Sequence, residues 1–227
     1  MVKRETVIRD RQLAHWASRR ILHGFSSPES PPATKPLPIR IRQVHGNHYL
    51  EVSATTPSPA GQGDALISMT PGVAIGIATA DCVPILLSSP GAEAVAAIHA
   101  GWRGTLENIA AVVVEALRDR GIDPGGLEAA VGPAIGPCCF EVENDFETRF
   151  VDAFGSEARN HWQEGREGHG TLNLPGLNQM LLERAGIPAQ AIHQVGPCTF
   201  CAKGPFASYR RDGQAAGRQI SWIRTAE

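Results

Sequence analysis

Short apolar runs recur along the chain, and several end on a side chain that can bind a metal or attack a carbonyl. Residues 73–79 and 94–98 are rich in Val, Ile and Ala and read as buried strands. The first leads into Asp81-Cys82 ahead of Pro84, whose missing amide hydrogen predicts an interrupted ladder at that point. The second delivers His99 into Gly101-Trp102-Arg103-Gly104-Thr105. Residues 39–44 alternate apolar and polar, as a half-buried strand does, and end at His45. Reactive groups gather where strand ends open into loops, so His45, Cys82 and His99 are predicted to meet in one crevice. His48 reads as a surface histidine, and Asp64 as an acid at the start of a further strand, 65–68.

Helical spacing predicts a short helix over 11–20 and a longer one over 106–120. In the latter Leu106, Ile109, Val113, Ala116 and Leu117 share one side, and Gly121 closes the end. A further helix is predicted over 142–154, and another over 177–185, opened by Asn173 as cap with Pro175 soon after. Strands are expected at 127–131, 191–195 and 219–224. The first two lead into Gly132-Pro133 and Gly196-Pro197, which hint at a duplicated half but are equally explained by shared turn chemistry. The Ser- and Pro-rich stretch 26–38 and the stretch 55–63 read as exposed loops, and 155–170 has no clear period.

With 227 residues, 42% of them apolar, the chain can bury a sizeable core. It reads as a single domain over 1–227. The balance of 21 basic and 23 acidic residues, with no long run of either sign, suggests neither a nucleic-acid nor an anionic-membrane partner. Residues 1–10 mix both signs and lack the apolar centre of a secretion signal. No apolar run reaches the roughly 18 residues that span a bilayer, so a cytoplasmic protein is expected. Five cysteines then favour thiol or metal chemistry over a disulfide framework.

Two imidazoles and a thiol suit a borderline-soft ion such as zinc, and three protein ligands leave one position open for water or substrate. The same Cys82 and His99 can instead be a nucleophile and its base, oriented by Asp81 or His45. Both readings want a deprotonated cysteine beside histidine, and spacing does not separate them. The 101–105 loop joins a strand to a helix start. Its free amides, Thr105 as cap and Arg103 favour a phosphate or other anion, against the alternative of a tight turn with a solvated Arg. Tyr209-Arg210-Arg211-Asp212 offers a second cationic pair, or surface salt bridges. Cys138, Cys139, Cys198 and Cys201 supply four thiols, but an adjacent pair is a poor chelating spacing, and buried free thiols are the favoured reading.

Taken together, Gln43-Val44-His45-Gly46, Thr79-Ala80-Asp81-Cys82-Val83-Pro84, His99-Ala100-Gly101-Trp102-Arg103-Gly104-Thr105, the 132–139 stretch and Ser208-Tyr209-Arg210-Arg211-Asp212-Gly213 resemble the YfiH, or laccase-domain, family. The resemblance implies an α+β fold, an α/β/β/α four-layer sandwich with mixed sheets, likened to certain cysteine hydrolases. It implies one metal on His45, Cys82 and His99, usually zinc and in some members copper. The implied activity is purine nucleoside phosphorolysis: adenosine, inosine and methylthioadenosine are split by phosphate, and some members also deaminate adenosine. An older reading is copper-dependent polyphenol oxidation. Asp81 is the nearest candidate for proton transfer, with Arg103, Thr105, Arg210 and Arg211 as phosphate-binding candidates. A monomer or weak homodimer is expected. The chain departs from the family in one place. Members carry a Gly-Gly-x-Ser loop, a Leu-Asn element and an acidic helix before Gln-Val-His, and here only 27–42 fills that interval. Altered substrate choice, weak activity or a noncatalytic metal-binding protein would follow if the missing part binds nucleoside.

Overall fold

The structure, a computed structural model, describes residues 13–32 and 34–226. The first half runs α1 (Ala14–Ser18), β1 (Ile21–Phe25), β2 (Tyr49–Val52), β3 (Ala65–Ser68), β4 (Ile75–Thr79), β5 (Val83–Ser88), β6 (Val95–Ala100), α2 (Trp102–Leu106) and α3 (Ile109–Arg118). The second runs β7 (Glu128–Val131), β8 (Glu141–Glu143), α4 (Asp145–Phe154), β9 (Trp162–Glu164), β10 (His169–Leu172), α5 (Leu174–Arg184), β11 (Ile192–Gln194), α6 (Tyr209–Asp212) and β12 (Gln219–Thr225).

Alternation along the buried strands decides which of two cores each side chain enters. In β5, Val83, Ile85 and Leu87 face α3 and α5, while Leu86 faces the other way, toward β4 and β12. β6 repeats this with Ala96 and Ile98 against Val95 and Ala97, and β3 with Ala65 and Ile67 against Leu66. Both faces are dry, which is why these strands read as continuous apolar runs rather than alternating ones. Each fully buried Leu or Ile contributes about 1.5–3 kcal/mol relative to exposure. The result is a six-stranded mixed sheet of order β11-β7-β5-β6-β3-β2 stacked on an antiparallel β1-β12-β4 sheet, with a small β8-β10-β9 sheet beside α4. Helices α3 and α5 cover the outer face of the large sheet. Helix α1 packs beside β1, with Trp16 fully buried in the inter-sheet core and its indole bonded to Glu128 of β7. The mixed α+β expectation therefore holds.

Several local expectations are corrected. Residues 39–44 form no regular strand: isolated bridges join Ile39 to Ile75 and Arg42 to Gln62, and the Gln43 side chain replaces a backbone partner by bonding both Ala78 N and O. Pro84 does not interrupt the β5–β6 ladder, which runs through it to Val83↔Ala100. The proline lacks only its N–H, and its carbonyl accepts from Gly132 N at 2.8 Å. The 106–120 helix is broken at Asn108, which adopts φ +57° and separates α2 from α3. The start of 142–154 is spent on β8 before α4 begins, and 155–170 contains β9 and part of β10. The 26–38 loop is not wholly exposed: Ser26 is buried because its hydroxyl bonds both Ile220 N and O. The predicted 11–20 helix is observed as α1, residues 11 and 12 lying outside the described range. The two Gly-Pro exits lie side by side, since β7 and β11 are parallel neighbours and Ala134 bridges Cys198. None of the helices of the described residues is long and apolar enough to cross a membrane.

Candidate functional site

Antiparallel pairing of β5 with β6 places Pro84 opposite His99 and Val83 opposite Ala100, so Cys82, just before β5, lies at the far end of β6. His99 is buried within that strand, at 2% exposure. His45 arrives from the Gln43-anchored segment on a left-handed turn, φ +62°, uncommon for a residue with a side chain, and its ring stays exposed beside His99. The ligand atoms of His45, Cys82 and His99 all lie within 4.8 Å of one another. The two imidazoles are edge to face, with centroids 4.8 Å apart and planes 80° apart. Gly101 completes the cradle: a Cβ there would sit 3.2 Å from both Cys82 Sγ and His45 Cδ2.

Asp64 organises this triad from beneath. Its side chain is fully buried, and its Oδ1 lies 2.8 Å from His99 Nδ1. The same carboxylate accepts the backbone N–H groups of Val44, His45 and Gly46 at 2.8–3.2 Å. It thus fixes the turn that carries one imidazole and the orientation of the other, leaving His99 Nε2 for a ligand. Burial raises the Asp64 carboxyl, but His99 and the turn amides outweigh it and hold it below its ordinary value. Burial also pushes the Cys82 thiol up, and hydrogen bonds with His45 and His99 bring it down to about 6. Burial disfavours a charged His99, yet Asp64 and Cys82 raise it to about 9. The site favours an ionised thiol next to protonated imidazole, a proton that a bound cation would displace. Two nitrogens, one sulfur and an open side fit a zinc- or copper-type ion.

Asp81, the expected proton carrier, precedes Cys82 and lines the cavity that opens over the triad. At φ +86°, its carboxylate receives Thr199 Oγ1 at 2.6 Å, Ser208 Oγ at 3.0 Å and Arg210 N at 2.7 Å. With these donors on both oxygens, it ties the loop before Cys82 to the 199 and 208–210 segments.

The triad sits at the floor of a cavity of about 650 Å³, within the roughly 300–1,000 Å³ usual for small-molecule sites. Trp102, Phe140 and Tyr209 supply aromatic walls, and Arg40, Arg210 and Arg218 supply cations. Of the predicted anion ligands, only Arg210 lines this cavity. Arg103 stacks on Trp102, 4.5 Å from the ring centroid, and does not line it. Thr105 is fully buried inside α2 rather than capping it, its hydroxyl accepting from Asn178 Nδ2 at 2.9 Å. Arg211 spends its guanidinium on Asp212 and on the carbonyls of Thr199, Phe200 and Phe206. His48 lies outside the triad. Sequence reasoning also missed Asp64, Arg40 and Arg218. The acid at the strand start was the single signal for Asp64.

Residues 32–226 match the protein family described as multi-copper polyphenol oxidoreductase laccase. The chain belongs to the laccase-domain family. A purine nucleoside phosphorylase of Deinococcus radiodurans is 41% identical over 184 residues, covering 81% of this chain and 68% of that protein. An adenosine deaminase named RL5, from an unknown prokaryotic organism, is 38% identical over 160 residues, covering 70% and 61%. The crystal structure of the Bacillus licheniformis hypothetical protein YfiH superposes with a TM-score of 0.83 at 25% identity, covering 92% of this chain and 94% of that one. In this laccase-domain chain, the 27–42 interval reaches the site, because Arg40 and Ile41 line the cavity, followed by Gln43.

Proposed function

We propose that this chain is a metal-dependent purine nucleoside phosphorylase acting on adenosine, inosine and methylthioadenosine as one domain, with deamination of adenosine as a second outcome at the same site. The observation that carries the reading is the cavity in which a His-Cys-His floor meets aromatic walls and three arginines. The names of the relatives point the same way.

Flat, partly polar purines suit a slot between Trp102, Phe140 and Tyr209. Arg40, Arg210 and Arg218 hold phosphate, with Arg210 braced by its Nη1–H to Glu141 O at 2.9 Å and by Asp81 on its backbone N–H. In phosphorolysis a phosphate oxygen bonds to the anomeric carbon as the glycosidic C–N bond breaks. The bonding pair leaves with the base, which takes up a proton, and the sugar departs as its 1-phosphate. Placement of an anion against the anomeric carbon supplies much of the rate in such a reaction. His45, Cys82 and His99 would hold the ion, zinc or copper. A bound ion supplies Lewis acidity toward an oxygen or nitrogen brought to its open position. Asp64 keeps both imidazoles aimed.

The test is adenosine with and without phosphate, following adenine, inosine and hypoxanthine, on protein of measured metal content. Phosphate-dependent release of adenine is the expected result, and its absence from metal-loaded protein would overturn the reading. A second reading, a Cys82 thiol hydrolase with His99 as base, is favoured by the lowered thiol. It requires activity to survive chelation and to disappear on alkylation of Cys82. Gly101→Ala tests the cradle: overpacking costs about 1–3 kcal/mol, so metal affinity should fall roughly 10–100-fold. Unchanged affinity in a competition titration would show that the close approach of Gly101 is not needed.

A further inference from the structure

We propose that Cys138, Cys139, Cys198 and Cys201 bind a second metal ion, zinc, in a closed four-thiolate site that shares no ligand with the His45-Cys82-His99 triad. The four sulfurs all lie within 4.8 Å of one another. Cys138 and Cys201 are 3.7 Å apart, matching the edge of about 3.8 Å that a tetrahedron with zinc–sulfur bonds of about 2.3 Å requires. Soft thiolates in a set of four select zinc among the common divalent ions, and four protein ligands leave no open position, the mark of a structural site.

The backbone is shaped for the task. Cys198 and Cys201 have the two-residue spacing of a zinc knuckle, and Gly136 N donates to Cys198 Sγ at 3.2 Å, the kind of outer bond that steadies a metal thiolate. The adjacent pair is bent by a tight turn in which Cys139 N and Phe140 N both bond Gly136 O at 3.0 Å. That turn offsets the spacing that argued against chelation in the sequence. Cys138 and Cys201 are exposed, so the earlier picture of four buried free thiols is corrected, and an ion has an entry path. The other surface group of donors, His15, Glu128 and His193, is unlike this one, because Glu128 is already paired with Arg19, Trp16 and His15.

An ion here would join the exits of β7 and β11, two loops held in register by the Ala134–Cys198 bridge and carrying little regular structure. The loop after β7 supplies Ile135 and Phe140 to the cavity lining, and the loop after β11 braces that lining from behind. Thr199, next to Cys198, bonds Asp81, and Phe140, next to Cys139, lies under the Arg210 guanidinium with its centroid 5.5 Å away. Zinc binding at such a site adds to folding free energy and would brace the substrate wall without touching substrate.

The test uses anaerobically reduced full-length Cys82→Ala protein, in which the triad is disabled, titrated with zinc against a chromophoric chelator. One equivalent should bind, and cobalt in its place should give thiolate-to-metal charge-transfer absorption. Adding Cys138→Ser and Cys201→Ser to the same background should abolish both signals, and wild type should hold one equivalent more than Cys82→Ala. Absence of binding to folded Cys82→Ala, a cobalt spectrum without thiolate character, or a Cys138–Cys201 disulfide in protein purified under reducing conditions would each overturn the proposal. The cobalt spectrum reads the site even if the triple variant fails to fold. The outcome does not depend on whether the protein carries out phosphorolysis.

Discussion

Cys82→Ala should remove the triad's ion and the phosphate-dependent release of adenine together, while the fold survives. Outer partners of metal ligands typically cost 10–100-fold when replaced, so loss of a direct ligand should exceed about 100-fold. The substitution deletes one sulfur at a half-buried position outside the regular strands, between β4 and β5, and leaves the pairing of Val83 with Ala100 untouched. Circular dichroism should therefore be that of wild type. Rate and metal content belong in the same experiment, because both the phosphorylase and the thiol-hydrolase readings need this sulfur. Chelation of the wild type separates them: activity that disappears and returns with zinc supports the metal, whereas activity indifferent to chelator supports the thiol. A variant retaining rates within tenfold of wild type would show that the triad is not the centre of the chemistry.

Asp64→Asn should be nearly as damaging, although residue 64 does not line the cavity. Both oxygens of the carboxylate are acceptors: Oδ1 serves His45 N and His99 Nδ1, and Oδ2 serves Val44 N and Gly46 N. An amide of the same shape must set its own N–H groups against one of these donor pairs. Breaking a buried charged pair in this way costs about 3–5 kcal/mol. At 2–4 °C per kcal/mol for a chain of this size, the melting temperature should fall by roughly 6–20 °C. Metal affinity should drop about 10–100-fold as His45 and His99 lose their orientation. Melting and affinity both at wild-type values would mean that Asp64 does not position the imidazoles.

The two apolar runs leading to Cys82 and His99 were readable because strands buried on both faces keep an unbroken Val-, Ile- and Ala-rich pattern. The approach of His45 was readable for a different reason than supposed, since the Gln43 side chain and not a regular strand holds the segment against β4. Asp64 was not readable as a partner of His99, because the two meet only through the pairing of Ala65 with Ile98. Arg210 and Arg211 are neighbours in a one-turn helix, and nothing in their order says which guanidinium faces the cavity. The four thiols come together through the parallel alignment of β7 with β11, a long-range fact that local spacing does not contain.

The triad is mounted on the ends of central strands and on a turn pinned by a buried carboxylate, whereas the opposite side of the cavity is made of loops fastened at Asp81. Those loops can therefore lengthen, shorten or change their side chains, and so change which molecule is admitted, without moving the three ligands. The interval from 27 to 42 is a case in point: it supplies Arg40 to the cavity lining from outside the strands that lead to Cys82 and His99.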